Sequence, residues 1–157
     1  MNFDQAFVIL IGNEGGYSND PHDAGGETQF GISKRAYPDV DIKNLTLDQA
    51  KAIYKRDYWD KAQADQYDGQ VGFHVFDAAV NSGIGTAIRL LQRAVGVKDD
   101  GVVGPATLAA VSAVSPVKLI LNMNAERLTY MTNLMAWDNF SKGWARRIAN
   151  NLKLVEA

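Results

Sequence analysis

The sequence predicts a mainly α-helical protein with a small turn-rich or β-hairpin wing at about residues 15–33. Apolar residues recur at helical spacing along most of the chain, and short clusters rich in Gly, Pro, Asn and Asp separate these runs. The wing interrupts this pattern, because Asn19-Asp20-Pro21 and Ala24-Gly25-Gly26 place two turn signals within a few residues.

The first predicted helix covers residues 2–14 and ends in an acid, Glu14. Phe3, Leu10 and Glu14 fall on one face at helical spacing, and two glycines follow at once. Burial of that face and the negative end of the helix dipole both disfavour a charged carboxylate, so we expect the pKa of Glu14 to be raised. Such a group protonates a leaving oxygen. On position alone, a solvated Glu at a helix end is an equal alternative.

The wing supplies the other groups that hydrolysis of a glycosidic bond requires. These reactions commonly use two carboxylates, and in inverting enzymes the second one activates a water. Asp23, helped by Thr28, is our candidate for holding that water. Two other acids compete for the role. We interpret Asp20 as a turn residue because it precedes a proline, and Glu27 as a solvated side chain.

A second group of helices is predicted beyond the wing. A capping-box pattern at Thr46 opens a helix that extends to about Trp59. Residues 71–82 are apolar almost all round, which indicates a central buried helix. Its polar exceptions, His74, Asp77 and Asn81, share one face. We interpret His74 and Asp77 as buried hydrogen-bonding groups.

The remaining predicted helices follow the same punctuation. Residues 84–95 form a helix stopped by Gly96, and a shorter helix starts at Gly104-Pro105. A long helix opens at Pro116 and extends to about Ala136. Ser141 caps the last helix, which turns Trp144, Ile148 and Leu152 inward and Arg146 and Arg147 outward.

The wing also carries a family resemblance. The chain resembles the glycoside hydrolase family 108 N-acetylmuramidases, lysozyme-like enzymes of phages and bacterial secretion clusters, in the motif Glu14-Gly-Gly-Tyr-x-x-Asp-Pro-x-Asp-x-Gly-Gly-x-Thr-x-x-Gly-Ile32. Further matches are Asp57-Tyr-Trp-Asp60, Phe76-Asp-Ala-Ala-Val-Asn-Ser-Gly83, Leu91-Gln92, Asp100-Gly-Val-Val-Gly-Pro-Ala-Thr107, Arg127-x-x-Tyr130 and Gly143-Trp-x-x-Arg147.

The resemblance implies a lysozyme-like domain over residues 1–157, with a catalytic part at about 1–90 and a helical part at about 91–157 that resembles a predicted peptidoglycan-binding domain. It implies hydrolysis of the β-1,4 bond between N-acetylmuramic acid and N-acetylglucosamine, with Glu14 as general acid. Related phage lysozymes carry a Glu, Asp, Thr triad, which falls on Glu14, Asp23 and Thr28, although Thr28 comes one residue early. We expect inversion. The alternatives are a lytic transglycosylase and a non-catalytic peptidoglycan-binding protein.

Substrate contacts are expected from residues near these acids. Aromatic faces stack on the apolar faces of sugar rings, although most Tyr and Trp side chains in a small domain belong to its core. The amide of Asn81 is our candidate donor to an N-acetyl group or to the water. The candidates for substrate binding are Tyr17, Gln29, Phe30, Tyr58, Trp59 and Asn81.

Composition and charge limit the classes of ligand and partner that we expect. The net charge is −2 and the chain has no basic stripe, so we expect no nucleic acid. No cysteine is present, and the two histidines lack metal-ligand spacing, so we expect neither cofactor nor metal. No run of apolar residues is long enough to span a membrane, and residues 6–11 are too short for a cleavable signal peptide.

The family resemblance, together with the expected lack of a signal peptide, implies a cellular setting. We expect a monomer made in the bacterial cytoplasm and acting on peptidoglycan glycan strands in the periplasm or at the cell wall. A holin or a secretion system would export it, as for an endolysin that serves phage lysis or a secretion-associated muramidase.

Overall fold

The computed structural model describes residues 1–12 and 16–156. Glu14, the predicted acid, therefore lies outside the described residues, as do the end of the predicted first helix and the glycine that follows it. The described residues form two compact units. One, here called the N-terminal unit, comprises Asn2–Asp57; the other, the C-terminal unit, begins at Tyr58 and includes Met1.

The N-terminal unit contains two helices and a hairpin. Helix α1 (Phe3–Ile11) begins with a capping box in which Asn2 and Gln5 bond each other's backbone N–H. Strands β1 (Thr28–Gln29) and β2 (Ile32–Ser33) pair antiparallel, with Thr28 opposite Ser33. Helix α2 (Leu47–Tyr54) starts at the predicted capping box of Thr46 and Gln49. The hairpin confirms the predicted wing.

Aromatic rings connect α1, α2 and the hairpin of this unit. The ring of Phe7 lies 5.8 Å from that of Tyr54, and the Tyr54 hydroxyl donates to the Phe30 carbonyl at 2.7 Å. Leu47, the first residue of α2, is 47% exposed. The buried side chains of the unit are those of Phe3, Ala6, Phe7, Leu10, Ile32, Ile42, Leu45, Ala50, Ile53 and Tyr54.

After α2 the chain continues through a π-helical turn (Lys55–Trp59) and a 3₁₀ turn (Ala64–Gln66). Five helices follow, at positions close to those predicted, and they surround an apolar core built mainly from α3, α4 and α6. They are α3 (Gly69–Ser82), α4 (Ile84–Val95), α5 (Pro105–Ser112), α6 (Pro116–Thr132) and α7 (Trp137–Leu152).

The predicted start of the last helix was wrong. Helix α6 ends at Thr132 rather than near Ala136, and α7 begins at Trp137 rather than after Ser141. The N-cap residue, Ala136, makes no side-chain capping bond. Its carbonyl accepts the first intrahelical bond, from the Phe140 N–H at 3.1 Å, but alanine has no polar side chain, so α7 starts without the Ser or Thr cap that a sequence pattern detects.

No single helix among the described residues is long and apolar enough to cross a bilayer. Helices α5 and α6 reach that length and apolar character only when they are taken together, and the chain bends by 117° between them.

A buried carboxylate ties three helices of the C-terminal unit together. Asp77 of α3 accepts from Arg127 of α6 at 2.7 Å, from Arg147 of α7 at 2.9 Å and from Asn151 of α7 at 2.7 Å. Burial opposes its ionisation, but the two guanidinium groups outweigh burial and hold the pKa of Asp77 below its usual value. This confirms the structural interpretation of Asp77. The prediction that Arg147 points outward was wrong, because this ion pair draws it towards α3.

The second polar group of α3 is also structural. The amide Nδ2 of Asn124 lies 3.1 Å from His74 Nδ1 and donates to the Ile120 carbonyl at 2.9 Å. Since Nδ2 is a donor, Nδ1 of the buried ring accepts, which requires a neutral imidazole. Burial lowers the pKa of His74 to about 4, and nearby Arg127 adds to that effect while Asp77 opposes it.

A buried glutamine fixes the loop between α4 and α5. The Gln92 amide nitrogen donates to Asp100 Oδ1, to the Val102 carbonyl and to Thr107 Oγ1, at 3.0 to 3.1 Å. Its oxygen accepts from the Gly101 N–H at 2.9 Å. The loop motif and Gln92 therefore form one hydrogen-bonded structure, as expected for a turn that leads into a helix start.

Replacing Asp77 by Asn is expected to lower the free energy of unfolding by about 3–5 kcal/mol, because two buried or partly buried guanidinium groups lose their counter-charge. Urea unfolding measures the change. The matched control is Asp99→Asn, which breaks the exposed 2.7 Å pair with Arg93 and should stay close to wild type. Similar losses of unfolding free energy in both variants would contradict the structural role assigned to Asp77.

His74 predicts a pH dependence of stability. Because its folded pKa lies below the ordinary 6.5, the unfolded chain binds the extra proton, and stability falls as pH drops from 6.5 towards about 4. The limiting slope is about 1.4 kcal/mol per pH unit. Urea unfolding at several pH values should show a flatter slope for His74→Gln. His22→Gln, at a side chain 94% exposed, should keep the wild-type slope; an unchanged slope in His74→Gln would refute the assignment.

Candidate active site

The wing is a hairpin extended by one further bridge. Ser18 and Thr28 exchange backbone hydrogen bonds of 2.8 Å in each direction, in addition to the pairing of β1 with β2. The segment from Ser18 to Thr28 is thereby a closed loop whose tip contains Asp20, Asp23 and Gly25. Backbone bonds hold Thr28, while the side chains of the tip reach solvent.

Asp23 and Thr28, the two predicted partners of the acid, are joined through Gly26. The Asp23 carbonyl accepts from the Gly26 N–H at 3.0 Å, and Thr28 Oγ1 donates to the Gly26 carbonyl at 3.3 Å. Gly26 has φ +69°, a left-handed conformation that favours glycine. Asp23 Oδ1 also accepts from the Gly25 N–H at 2.9 Å, which fixes the carboxylate on its own turn.

The competing acids have different roles. Asp20 accepts from the His22 N–H at 2.9 Å, which confirms it as a turn residue. Glu27 was predicted to be solvated, but it is only half-exposed and accepts from the Tyr17 hydroxyl at 2.8 Å. That hydrogen bond raises the pKa of Tyr17. The correction arises because the two residues lie on neighbouring backbone segments, which the sequence alone did not place together.

The predicted substrate-binding residues of the wing differ in availability. The Tyr17 ring is 42% exposed and open to a ligand. Gln29 uses its amide nitrogen to donate to the Leu45 carbonyl at 3.1 Å, and Phe30 accepts from Tyr54 through its carbonyl. Phe30 also has φ +50° and a half-buried ring. Both therefore contribute to the frame of the N-terminal unit.

The remaining candidates belong to the C-terminal unit. Trp59 was predicted to bind a sugar, but it is 1% exposed, packs edge-on against Phe76 and donates to Asp65 at 2.9 Å. Its ring therefore offers no stacking face and belongs to the core. Tyr58 is partly buried against the core of the unit, and Asn81 is half-buried on α3.

Sequence reasoning did not predict a groove of about 510 Å³ in the N-terminal unit. Its polar side chains are occupied within the protein. Asn44 donates to Asp41 at 2.8 Å, and Arg56 contacts Asp57 at 2.7 Å. The groove is lined by Val40, Asp41, Asn44, Leu45, Gln49, Ala52, Ile53 and Arg56. Within residues 1–12 and 16–156, no group of three or more His, Asp or Glu side chains is close enough to hold a metal ion.

An acid and a hydroxyl on one turn of a mainly helical protein are groups that a glycoside hydrolase can use to hold a water. Two family models match the chain: residues 7–83 match Glycosyl hydrolase 108, and residues 86–149 match a Predicted Peptidoglycan domain. The chain belongs to the glycosyl hydrolase 108 family and is a peptidoglycan hydrolase, which confirms the predicted class of enzyme and its mainly α, lysozyme-like fold.

A solved structure supports the same conclusion. The chain is similar to SagA of Brucella abortus, with a TM-score of 0.87 and 33% sequence identity over 96% of this chain and 91% of that one. No curated protein matches the chain.

The boundary between the family matches differs from the boundary between the compact units. Helix α3 lies within residues 7–83, which match the hydrolase model, yet it belongs to the C-terminal unit. Its partners Arg127 and Arg147 lie in residues 86–149. The predicted division near residue 90 into a catalytic and a helical part stays a prediction.

Gly26→Ala is expected to lower hydrolysis of peptidoglycan by at least about tenfold, because the added side chain strains a left-handed residue that connects Asp23 to Thr28. The matched control is Gly96→Ala, which places the same strain at φ +75° after α4, in open space. Both should lose about 1–2 kcal/mol of stability, and the release of soluble fragments should fall in Gly26→Ala alone. Equal activity in the two variants would show that the turn geometry is unimportant.

Proposed function

We propose that the enzyme is an N-acetylmuramidase that hydrolyses the β-1,4 bond between N-acetylmuramic acid and N-acetylglucosamine with inversion. The observation that carries the proposal is the closed turn in which Gly26 joins Asp23 to Thr28. This turn follows Glu14 after a short run of sequence, so an acid and a water-holding pair belong to one motif. Inverting hydrolysis requires these two functions.

The hydrogen bonds of the turn support separate proposed roles for its two side chains. Asp23 Oδ1 is occupied by the Gly25 N–H, so we assign Oδ2 to accept a proton from the attacking water. Thr28 donates its hydroxyl proton to the Gly26 carbonyl, which leaves its oxygen to accept the second water hydrogen. The water is thus held by both hydrogens while its lone pair points at the anomeric carbon.

Glu14 acts on the opposite side of the reacting bond. Its carboxylic acid gives a proton to the glycosidic oxygen as the bond from that oxygen to the anomeric carbon breaks. The water oxygen forms the new bond to that carbon, and its proton passes to Asp23. The product is a reducing-end muramic acid with inverted configuration, and a proton returned from Asp23 to Glu14 through solvent restores the enzyme.

The proposed place of action is the peptidoglycan of the periplasm or cell wall. We propose that a monomer carries out the reaction after export through a holin or a secretion system. A role in phage lysis as an endolysin is one form of this proposal. Separation of cell fractions, followed by detection of the protein in each, tests the location directly.

Conservative variants of the acids test the mechanism. Glu14→Gln is expected to lower hydrolysis at least about a thousandfold, and Asp23→Asn by about 10²–10⁴-fold, since general acid–base catalysis contributes on that scale. The Asn side chain still accepts from the Gly25 N–H, so the turn is kept. Mass spectrometry of fragments released from purified peptidoglycan measures the loss.

Asp20→Asn is the matched control, because it changes another exposed carboxylate of the same loop, whose contacts are with His22 of the turn. It should stay within about twofold of wild type. Reducing-end muramic acid from wild type identifies a hydrolase, and NMR of the first-formed anomer gives the stereochemistry. Fragments with 1,6-anhydro ends would identify a lytic transglycosylase, and full activity in Asp23→Asn would remove its role.

A further inference from the structure

One face of helix α7 changes its surroundings halfway along the helix. In the C-terminal half, Ile148 and Asn151 are buried and Arg147 pairs with Asp77. Helical spacing continues this face through Trp144 to Trp137 and Phe140, but there the side chains are half-exposed or exposed. Phe140 is 57% exposed. The face therefore packs into the core at one end and is open to solvent at the other.

The open half is a preformed aromatic surface, here called the aromatic shelf, which consists of Trp137, Phe140 and Trp144. The Phe140 and Trp144 rings stack with centroids 5.8 Å apart and planes inclined by 21°. The Trp137 ring lies 6.2 Å from that of Trp144. These rings support one another, so a ligand would meet side chains that have already lost their freedom. A contiguous exposed patch of this type marks an interaction site.

The surroundings of the shelf indicate which partner it fits. The side chains next to it along α7 are of mixed character, with Asp138, Asn139, Ser141 and Lys142 between the rings. The stretch between the rings holds one lysine, whereas segments that bind anionic lipid surfaces are typically rich in Lys and Arg. Aromatic rings accept the apolar C–H faces of sugars, while polar neighbours bond hydroxyl and amide groups.

The family match decides between carbohydrates and other partners. The whole shelf lies within residues 86–149, which match the Predicted Peptidoglycan domain. We propose that the aromatic shelf binds the sugar rings of a peptidoglycan glycan strand by stacking. The inference rests on the proposed function, since it assigns the same substrate to a second part of the chain.

Protection of tryptophan fluorescence from quenching tests whether the aromatic shelf binds glycan, independently of catalysis. The chain has three tryptophans, and Trp59 is buried, so acrylamide quenching reports chiefly on Trp137 and Trp144. The full chain carrying Glu14→Gln is titrated with soluble glycan strands from which an amidase has removed the stem peptides. The strands should reduce quenching, and Phe140→Ala should raise their Kd by about five- to tenfold, because it removes exposed ring surface.

Leu121→Ala is the matched control, since Leu121 is 52% exposed and apolar but lies on α6. It should leave the Kd within about twofold of the parent, and urea unfolding should show both variants folded. Equal Kd values in the two variants would overturn the inference. So would strand binding without protection from quenching, or no binding at all.

Vesicles of phosphatidylglycerol test whether the aromatic shelf instead binds a lipid surface. Protection by these vesicles and not by strands would overturn the inference in favour of a lipid surface. Hydrolysis of intact peptidoglycan by the chain with Glu14 restored is measured separately. Absence of hydrolysis would count against the proposed function, while the quenching titration would still decide whether the shelf binds glycan, because binding requires no bond cleavage.

Discussion

A single buried carboxylate organises the C-terminal unit. Asp77 is 1% exposed, and its two oxygens accept from three side chains that are distant in sequence. Removal of a charge from water is costly, and the charge is tolerated here because two guanidinium groups and an amide replace the lost hydration. The same contacts set the rotation of α6 and α7 about their axes. The orientation of the aromatic shelf on α7 is therefore set in part by the ion pair of Arg147, which lies within one turn of Trp144.

The polar interior of this unit is divided into charged and neutral parts. Next to the ionised Asp77, His74 is kept neutral by burial and by an amide that donates to its ring. Gln92 is itself uncharged and fixes the α4–α5 loop with four hydrogen bonds, one of which goes to the Asp100 carboxylate. The Val102 N–H, together with that bond, lowers the pKa of Asp100.

Local signals in the sequence predicted the elements well, and for physical reasons. The capping box at Thr46, the glycine after α4 and the proline that opens α5 each act within a single turn, so their effect is visible in a short segment. The wing was predicted for the same reason. Its turn at Gly26 connects Asp23 and Thr28, which are only five positions apart.

Contacts between distant segments were not predictable in this way. Arg147 was expected to face outward while Trp144, Ile148 and Leu152 face inward, and its ion pair with Asp77, 70 positions away, draws it inward. Trp59 was expected to bind the substrate, but its indole N–H donates to Asp65 and its ring packs against Phe76. Glu27 likewise acquires its partner from a neighbouring segment of the hairpin. In each case the residue that makes the contact lies outside the sequence pattern from which the role was predicted.

The position of α3 makes the two family-matched segments of this chain depend on each other. Helix α3 lies in residues 7–83, but its buried acid is neutralised by arginines from residues 86–149. A chimaera that joined residues 7–83 to a different C-terminal segment would leave that acid buried without counter-ions. Such an exchange is therefore expected to fold only where the new segment supplies arginines at both positions.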